Sequence, residues 1–178
     1  GNVIDRGQDS SGDGRWSHFT MQGKSQAKVT FITAYRVCQQ GTPKGKKTAL
    51  AQQWSQQQAR GNKHPNPKQT CLDDLSVFVK SKQDSGHSIV LMLDANESLT
   101  KTNSKLSDFA QELGLIDPIG TSHGYEDIPA TYKRGTQCID YAFVPPDLTP
   151  FIVNSGIAPI GKGKPTAYHR LLFLDISL

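Results

Sequence analysis

The fold of this chain is decided by the stretch IVLMLDANE at residues 89–97. Its first five residues are continuously apolar, which predicts a short strand buried on both faces of a sheet. Polar residues follow at once, at the carboxyl end of the strand, where α/β sheets usually bind ligands. Asp94 and Asn96 are two residues apart, so in an extended segment they point to the same side. The stretch therefore predicts a polar site at the edge of a sheet, and a turn in which these side chains only cap the backbone is the alternative.

The neighbouring segments alternate between strand and helix patterns. Residues 15–21 and the β-branched run at 28–35 predict two strands joined by a turn. Residues 1–14 are rich in Gly, Asp and Ser and predict a loop. Further helices are predicted at 48–58, from Thr70 to Gly86 and at 106–113, and further strands around 131 and at 137–144, 151–157 and 170–176. We therefore expect the 178 residues to form one α/β domain with helices packed on a mixed sheet.

The charge of the chain favours a polyanionic partner, although an ordinary basic domain has the same balance. The formal net charge is +4 and the pI is about 9.0. Basic residues cluster at 44–47 and again at Lys162 and Lys164, just before His169. Such clusters attract phosphate when they lie beside a reaction centre, but solvated loops look the same in a sequence.

The cysteines and the apolar residues indicate an intracellular protein. Cys38, Cys71 and Cys138 are far apart and form no CxxC pair, which argues against a zinc site or a disulfide framework. No stretch approaches the roughly 20 apolar residues that cross a bilayer, and no secretory leader opens the sequence. We therefore expect a nuclear or cytoplasmic location and no membrane partner.

A carboxylate inside an apolar strand is the second feature that points to chemistry. The segment IDYAFV at 139–144 contains Asp140, which needs a partner because a lone buried charge is costly. The segment AYHR at 167–170 precedes the last apolar strand and offers both His169 and Arg170. A carboxylate beside an imidazole fixes its tautomer and favours an imidazolium that can contact phosphate. A purely structural Asp–His pair would have the same sequence.

Four motifs occur in one order along the chain: VTFITAYRVC, IVLMLDANE, ATYKRGTQCIDYAFV and YHRLLFLDI. Together they resemble the endonuclease/exonuclease/phosphatase superfamily over about residues 15–178, and within it the endonuclease domains associated with reverse transcriptases. The resemblance implies a deoxyribonuclease-like α/β sandwich, in which two packed mixed β-sheets are flanked by helices. It also implies metal-dependent hydrolysis of phosphodiester bonds in nucleic acid, DNA rather than RNA, with Mg²⁺ or Mn²⁺ as the cofactor.

The resemblance assigns roles to individual residues. Asp94 would act as the general base and Asn96 would hold the attacking water or the scissile phosphate, and both are expected metal ligands. Asp140 would hydrogen-bond to His169, which would contact a non-bridging phosphate oxygen. Tyr35 would lie near the phosphate. The expected substrate-binding residues are Arg134, Lys162 and Lys164.

The sequence departs from the pattern of the superfamily in two places. Tyr168 stands where a carboxylate usually precedes the histidine. The first strands of the superfamily, with an Asn and the main metal-binding Glu, are expected upstream of Gly1, so the domain is expected to be truncated at its amino end. Glu97 is expected to point away from the site and not to replace that ligand. We therefore expect the chain alone to be weakly active or inactive, and to need an upstream segment or a fused reverse transcriptase.

Two other functions fit the same sequence. A phosphomonoesterase acting on small or lipid phosphates would release inorganic phosphate without nicking DNA. A degenerate nuclease-like domain would serve as a binding or structural module, would fold stably and would bind no metal at Asp94 and Asn96. The basic loops favour the nuclease over the phosphatase.

Overall fold

The computed structural model describes residues 1–23, 26–38, 41–161 and 168–177, which form an α/β structure of seven strands and four α-helices. The strands are β1 (Asn2–Gln8), β2 (Trp16–Gln22), β3 (Lys28–Tyr35), β4 (His87–Asp94), β5 (Asp140–Phe143), β6 (Ile152–Ile157) and β7 (Leu172–Ile176). The helices are α1 (Ala49–Ala59), α2 (Pro67–Asp84), α3 (Lys105–Glu112) and α4 (Pro118–His123), and a 3₁₀ helix spans Pro146–Phe151.

Five strands form a mixed sheet in the order β1-β2-β3-β4-β5, and β6 pairs with β7 in a second, antiparallel sheet. Within the first sheet, β3 and β4 run parallel and the other neighbours run antiparallel. Parallel neighbours cannot be joined by a tight hairpin. The connection from β3 to β4 therefore carries α1 and α2, which brings the carboxyl ends of β3 and β4 to the same edge of the sheet.

The central strand β4 is buried on both faces, as its apolar run predicts. On one face, Ile89, Leu91 and Leu93 belong to a core that also contains the buried residues Leu72, Leu75 and Val79 of α2 and Leu106, Phe109 and Ala110 of α3. On the other face, Val90 packs in a smaller cluster with Val29 and with Ile152, Leu174 and Ile176 of the second sheet. Side chains alternate along a strand, so Asp94 lies on the same face as Val90, toward the second sheet.

The same alternation brings the polar ends of β3 and β5 to this face. Tyr141 and Phe143 of β5 belong to the helix-facing core, so Asp140 lies on the opposite face. Val29 of β3 belongs to the second cluster, and Tyr35 shares its side of the strand. Residues Tyr35, Asp94 and Asp140 therefore lie on one face at one edge of the five-stranded sheet.

The structure confirms the strands predicted at 28–35 and 89–93 and the helices predicted at 48–58 and 106–113. The loop predicted for residues 1–14 is wrong at 2–8, because that segment forms β1. Every residue of β1 is exposed and its backbone pairs with β2, so the strand has no apolar alternation that a sequence pattern could reveal. No helix in the described parts of the chain is both long enough and apolar enough to span a membrane.

The start of α2 and the presence of α4 also differ from the predictions. The helix predicted from Thr70 begins at Pro67. Proline is tolerated at the first helical position, where its missing N–H has no partner in any helix, and the Asn66 side chain caps the helix by accepting from the Gln69 N–H. Helix α4 was not predicted because it is six residues long, and the Asp117 side chain caps it.

Candidate active site

Two carboxylates face each other at the edge of the first sheet. Asp94, the last residue of β4, is the register partner of Asp140, the first residue of β5. Like charges directly opposite each other across two strands are unfavourable. Burial, and then the charge of Asp140, raise the pKa of Asp94 from its ordinary 3.8 to about 6, although His169 and the Asn96 N–H act in the opposite direction. The edge therefore concentrates negative charge where a cation or a proton is favoured.

The histidine predicted to pair with Asp140 does so. The Nδ1 atom of His169 lies 3.0 Å from Oδ2 and 3.2 Å from Oδ1 of Asp140. An antiparallel β-bridge between Tyr132 and His169 holds the backbone of the histidine, and the centres of the two rings are 5.0 Å apart. Arg170, the other candidate partner, donates instead to the Ala130 carbonyl. Because Nδ1 is engaged and the side chain is 40% exposed, Nε2 of His169 is the ring atom left for a substrate.

Three segments that are distant in the sequence meet at this point. One ligand atom each of Asp94, Asp140 and His169 lies within 4.8 Å of the others, a spacing at which the three groups could hold a metal ion. The sequence predicted Asp94 and Asn96 as metal ligands, and the structure adds Asp140 and His169 to the candidate donors. Carboxylate oxygens are the ligands that Mg²⁺ and Mn²⁺ prefer, while imidazole suits other transition metals better.

Asn96 follows Asp94 in a turn and not in the extended geometry that was predicted. Its φ is 47°, so the backbone turns after Asp94 and does not continue as an extended strand. Alternation along a strand therefore does not apply to this pair. The Asn96 N–H donates to Oδ1 of Asp94 at 3.3 Å, and its Nδ2 donates to the Arg36 carbonyl at 2.7 Å. The backbone-capping alternative, in which these polar side chains bond to the backbone, is thus present.

A buried ionic network behind this turn was missed by the sequence analysis. The Nη1 atom of Arg36 lies 3.1 Å from Oε2 of Glu97, and both side chains are at most 4% exposed. The Nζ atom of Lys68 donates to the backbone carbonyls of Asn96 and Cys38. Burial alone would raise the pKa of Glu97, but the Leu106 N–H and the charge of Arg36 lower it. Glu97 therefore points away from the site, as expected, and the network supports the Asp94–Asn96 turn from behind.

Tyr35 lies beside Asp94, its register partner across the parallel pair β3–β4. Burial, with smaller contributions from Cys38 and Asp94, raises the pKa of the Tyr35 phenol, so the hydroxyl keeps its proton at neutral pH. Its side chain remains partly exposed and can donate a hydrogen bond.

Of the three predicted substrate-binding residues, Arg134 lies in the part of the chain that the structure describes. Arg134 is exposed, and its Cζ atom lies 5.7 Å from the centre of the Tyr168 ring. Lys162 and Lys164 lie outside the described residues. Tyr168, which replaces the carboxylate of the superfamily, is 53% exposed.

The relationship of this chain to known proteins is carried by its fold. No protein family and no curated protein matches the sequence. The mixed five-stranded sheet, the second sheet and the flanking helices form a deoxyribonuclease-like α/β fold, as predicted.

Three solved structures illustrate this likeness. The first is the endonuclease domain of TRAS1, a telomere-specific non-LTR retrotransposon, with a TM-score of 0.62 and 15% identity over 99% of this chain and 69% of that one. The 3′ phosphatase NExo from Neisseria, bound to a product DNA hairpin, has a TM-score of 0.66 and 14% identity over 99% and 72%. An AP endonuclease from Archaeoglobus fulgidus has a TM-score of 0.64 and 15% identity over 99% and 72%.

Proposed function

We propose that this protein is a metal-dependent phosphodiesterase that cleaves nucleic acid, DNA rather than RNA. The observation that carries the proposal is the meeting of Asp94, Asp140 and His169 within 4.8 Å of one another. These residues come from the ends of two neighbouring strands and from the segment before β7. A purely structural Asp–His pair would need no second carboxylate. Here Asp94 faces Asp140, and the pKa of Asp94 is raised, as is common at functional sites.

The donor set fits a divalent cation of the Mg²⁺ type. Two facing carboxylates with one imidazole beside them carry excess negative charge in a partly buried site. Asp94 would hold the ion, with the Oδ1 atom of Asn96 and the carboxylate of Asp140 as further donors. When bound, the ion offsets the charge that develops on the phosphate and assists departure of the leaving oxygen.

The protein's own groups divide the remaining work. Asp94 orients the attacking water and accepts its proton. Asp140 holds His169 so that its Nε2 atom meets a non-bridging phosphate oxygen. Asn96 steadies the water or the phosphate, and Tyr35 donates to the phosphate from the neighbouring strand.

Nucleic acid is favoured over a small phosphate by charge and by the similar structures. The chain carries a net charge of +4, and Arg134 adds an exposed guanidinium 5.7 Å from the ring centre of Tyr168, the residue that precedes His169. The similar Neisseria protein was solved with a DNA hairpin product, and the similar TRAS1 domain is a retrotransposon endonuclease. We include in the proposal that this domain acts within a retroelement, beside a reverse transcriptase.

Nicking of supercoiled plasmid tests the proposal. Purified protein is incubated with Mg²⁺ or Mn²⁺, or with EDTA, and compared with the variants Asp94→Asn, Asp140→Asn and His169→Ala. Asp117→Asn is the matched control, because Asp117 is also a buried carboxylate with a raised pKa but caps α4. We expect metal-dependent nicking by the wild type and the control, weak for this chain alone and stronger when an upstream segment is added, and its loss in the three site variants. Release of inorganic phosphate from small phosphates without nicking would favour the phosphatase alternative, and stable folding without metal binding would favour the binding module.

A further inference from the structure

An exposed aromatic side chain lies one residue from the proposed reaction centre. Tyr168 is 53% exposed, and the guanidinium carbon of Arg134 lies 5.7 Å from the centre of its ring. Single exposed aromatic residues are common on protein surfaces and mean little alone. This one differs because a cation covers its ring and because it stands next to His169 in the chain.

The position of this aromatic residue is fixed by the backbone that holds the histidine. The Lys133 N–H donates to the Tyr168 carbonyl at 2.7 Å, and the adjacent pair Tyr132 and His169 forms a β-bridge. Consecutive Cα atoms are about 3.8 Å apart, and neighbouring side chains of an extended segment point to opposite sides, so the Tyr168 ring and the His169 imidazole flank the backbone of one short segment. We call Tyr168 together with Arg134 the aromatic platform.

The chemistry of this platform fits an unpaired nucleic-acid base. Bases stack on aromatic rings whatever their sequence, because every base has a flat π-face. An arginine beside the ring adds a cation–π contact and a positive charge for the neighbouring phosphate. Bases inside a duplex already stack on each other, and taking one out requires breaking that pairing and stacking. The platform therefore favours a nucleic acid in which the base is already free.

We propose that Tyr168 and Arg134 bind an unpaired base of a nucleotide adjoining the phosphate that His169 contacts, so that the preferred substrate has a single-stranded or unpaired nucleotide at that position. This inference rests on the proposed nuclease function and names the class of substrate for it. It also gives Tyr168, which departs from the superfamily pattern, a role other than metal binding.

Binding measured by fluorescence anisotropy in EDTA tests the platform without cleavage. The probes are a labelled DNA duplex with a single-stranded flank, a fully paired duplex, and the flanked duplex with an abasic nucleotide placed in turn on each side of the junction. We expect the wild type to bind the flanked duplex best. One aromatic stack of about 1–3 kcal/mol corresponds to roughly 5- to 150-fold in affinity, so Tyr168→Ala should weaken that binding by this factor and Tyr168→Phe should not.

Two further comparisons separate stacking from other effects. At one of the two tested positions, an abasic nucleotide should weaken wild-type binding as much as Tyr168→Ala does. Combining that abasic nucleotide with Tyr168→Ala should weaken binding little further. Arg134→Gln should lower the slope of log affinity against log salt by about one unit, because it removes one phosphate contact. Phe151→Ala is the matched control, because Phe151 is 50% exposed but lies in the 3₁₀ helix, and it should bind like the wild type.

The outcomes for the platform and for the proposed function are separate. If Tyr168→Ala binds the flanked duplex as tightly as the wild type, or if its loss multiplies with that of the abasic nucleotide, the platform is wrong even where Mg²⁺-dependent nicking is present. If nicking is absent with both metals, for the chain alone and with an upstream segment added, while the abasic and Tyr168→Ala losses coincide, the binding of an unpaired base stands and the nuclease function is wrong.

Discussion

The folded protein disfavours the ionised form of the Asp94 carboxylate. The Asp94→Asn substitution removes this charge. In the metal-free protein, burial and the facing Asp140 raise the pKa of Asp94 from 3.8 to about 6. The folded state therefore binds a proton more tightly than the unfolded chain does. Above a pH of about 6 the ionised carboxylate destabilises the fold, this effect shrinks as the pH falls toward 3.8, and it is absent below that value.

The size of the effect follows from the pKa difference. One pKa unit corresponds to about 1.4 kcal/mol, so the upper limit is about 3 kcal/mol. Partial exposure of the group to solvent reduces this to about 1–2 kcal/mol. Asparagine has a similar shape and can still accept from the Asn96 N–H. We therefore expect Asp94→Asn to increase the free energy of unfolding at neutral and alkaline pH, and to raise the melting temperature by about 2–8 °C for a domain of this size.

Thermal unfolding in EDTA at about pH 8 and about pH 4 measures this difference. The gain should be present at the higher pH and absent at the lower. Adding Mg²⁺ should stabilise the wild type, because an ion that binds only the folded state shifts the equilibrium, and should leave Asp94→Asn unchanged. In the same preparations, Asp94→Asn should lose metal-dependent nicking.

The control for this experiment is Asp117→Asn. Burial raises the pKa of Asp117 to about 6 as well, and asparagine caps a helix about as well as aspartate does. This variant should show the same pH-dependent stabilisation and keep its nicking activity. The reasoning is refuted if Asp94→Asn is less stable than the wild type at about pH 8 in EDTA, if its gain is equal at both pH values, or if it nicks DNA at the wild-type rate.

Three further substitutions probe the site and its support. His169→Ala should lower the single-turnover cleavage rate by roughly 10²–10⁴-fold with little change in stability, since its side chain is 40% exposed; a rate within threefold of the wild type (about 0.6 kcal/mol) would exclude its role. Arg36→Met should reduce the free energy of unfolding in urea by about 3–5 kcal/mol because Glu97 keeps its charge and loses its ion-pair partner, and adding Glu97→Gln should recover much of that loss, since glutamine can still accept from the Leu106 N–H; equal stability of the single and double variants would contradict this. Tyr35→Phe should slow cleavage by about fivefold to tenfold through the loss of one hydrogen bond and leave the unfolding midpoint in place, and an unchanged rate would remove Tyr35 from the site.

The centre of the fold was predictable because its residues carry strong local patterns. The apolar run before Asp94 has no polar residue that would place it on a surface, and the structure buries it on both faces. The lone carboxylate in the apolar segment of β5 required a partner, which left His169 and Arg170 as candidates, and the resemblance to the superfamily indicated His169. Burial, pairing and the resemblance thus made the Asp94, Asp140 and His169 site predictable.

Among the features that the sequence did not predict are strand β1, the orientation of Asn96 and the Arg36–Glu97 pair, and each of these has a physical reason. Strand β1 is held by backbone pairing with β2 and is exposed throughout, so its side chains carry no periodic signal. The orientation of Asn96 was predicted from the alternation of side chains along an extended strand. Asn96 adopts a left-handed backbone conformation, so that alternation does not apply to it. The Arg36–Glu97 pair joins residues 61 positions apart, and nothing local in a sequence links such residues.

The central claim, that Asp94, Asp140 and His169 form one phosphodiesterase site, is tested most directly by diffraction from crystals containing Mn²⁺ and an uncleavable DNA analogue. The claim predicts an anomalous Mn²⁺ peak in contact with the Asp94 carboxylate, and an oxygen of the protected phosphate in contact with the His169 imidazole. Mn²⁺ and phosphate bound elsewhere, with Asp94 and His169 touching neither, would contradict it.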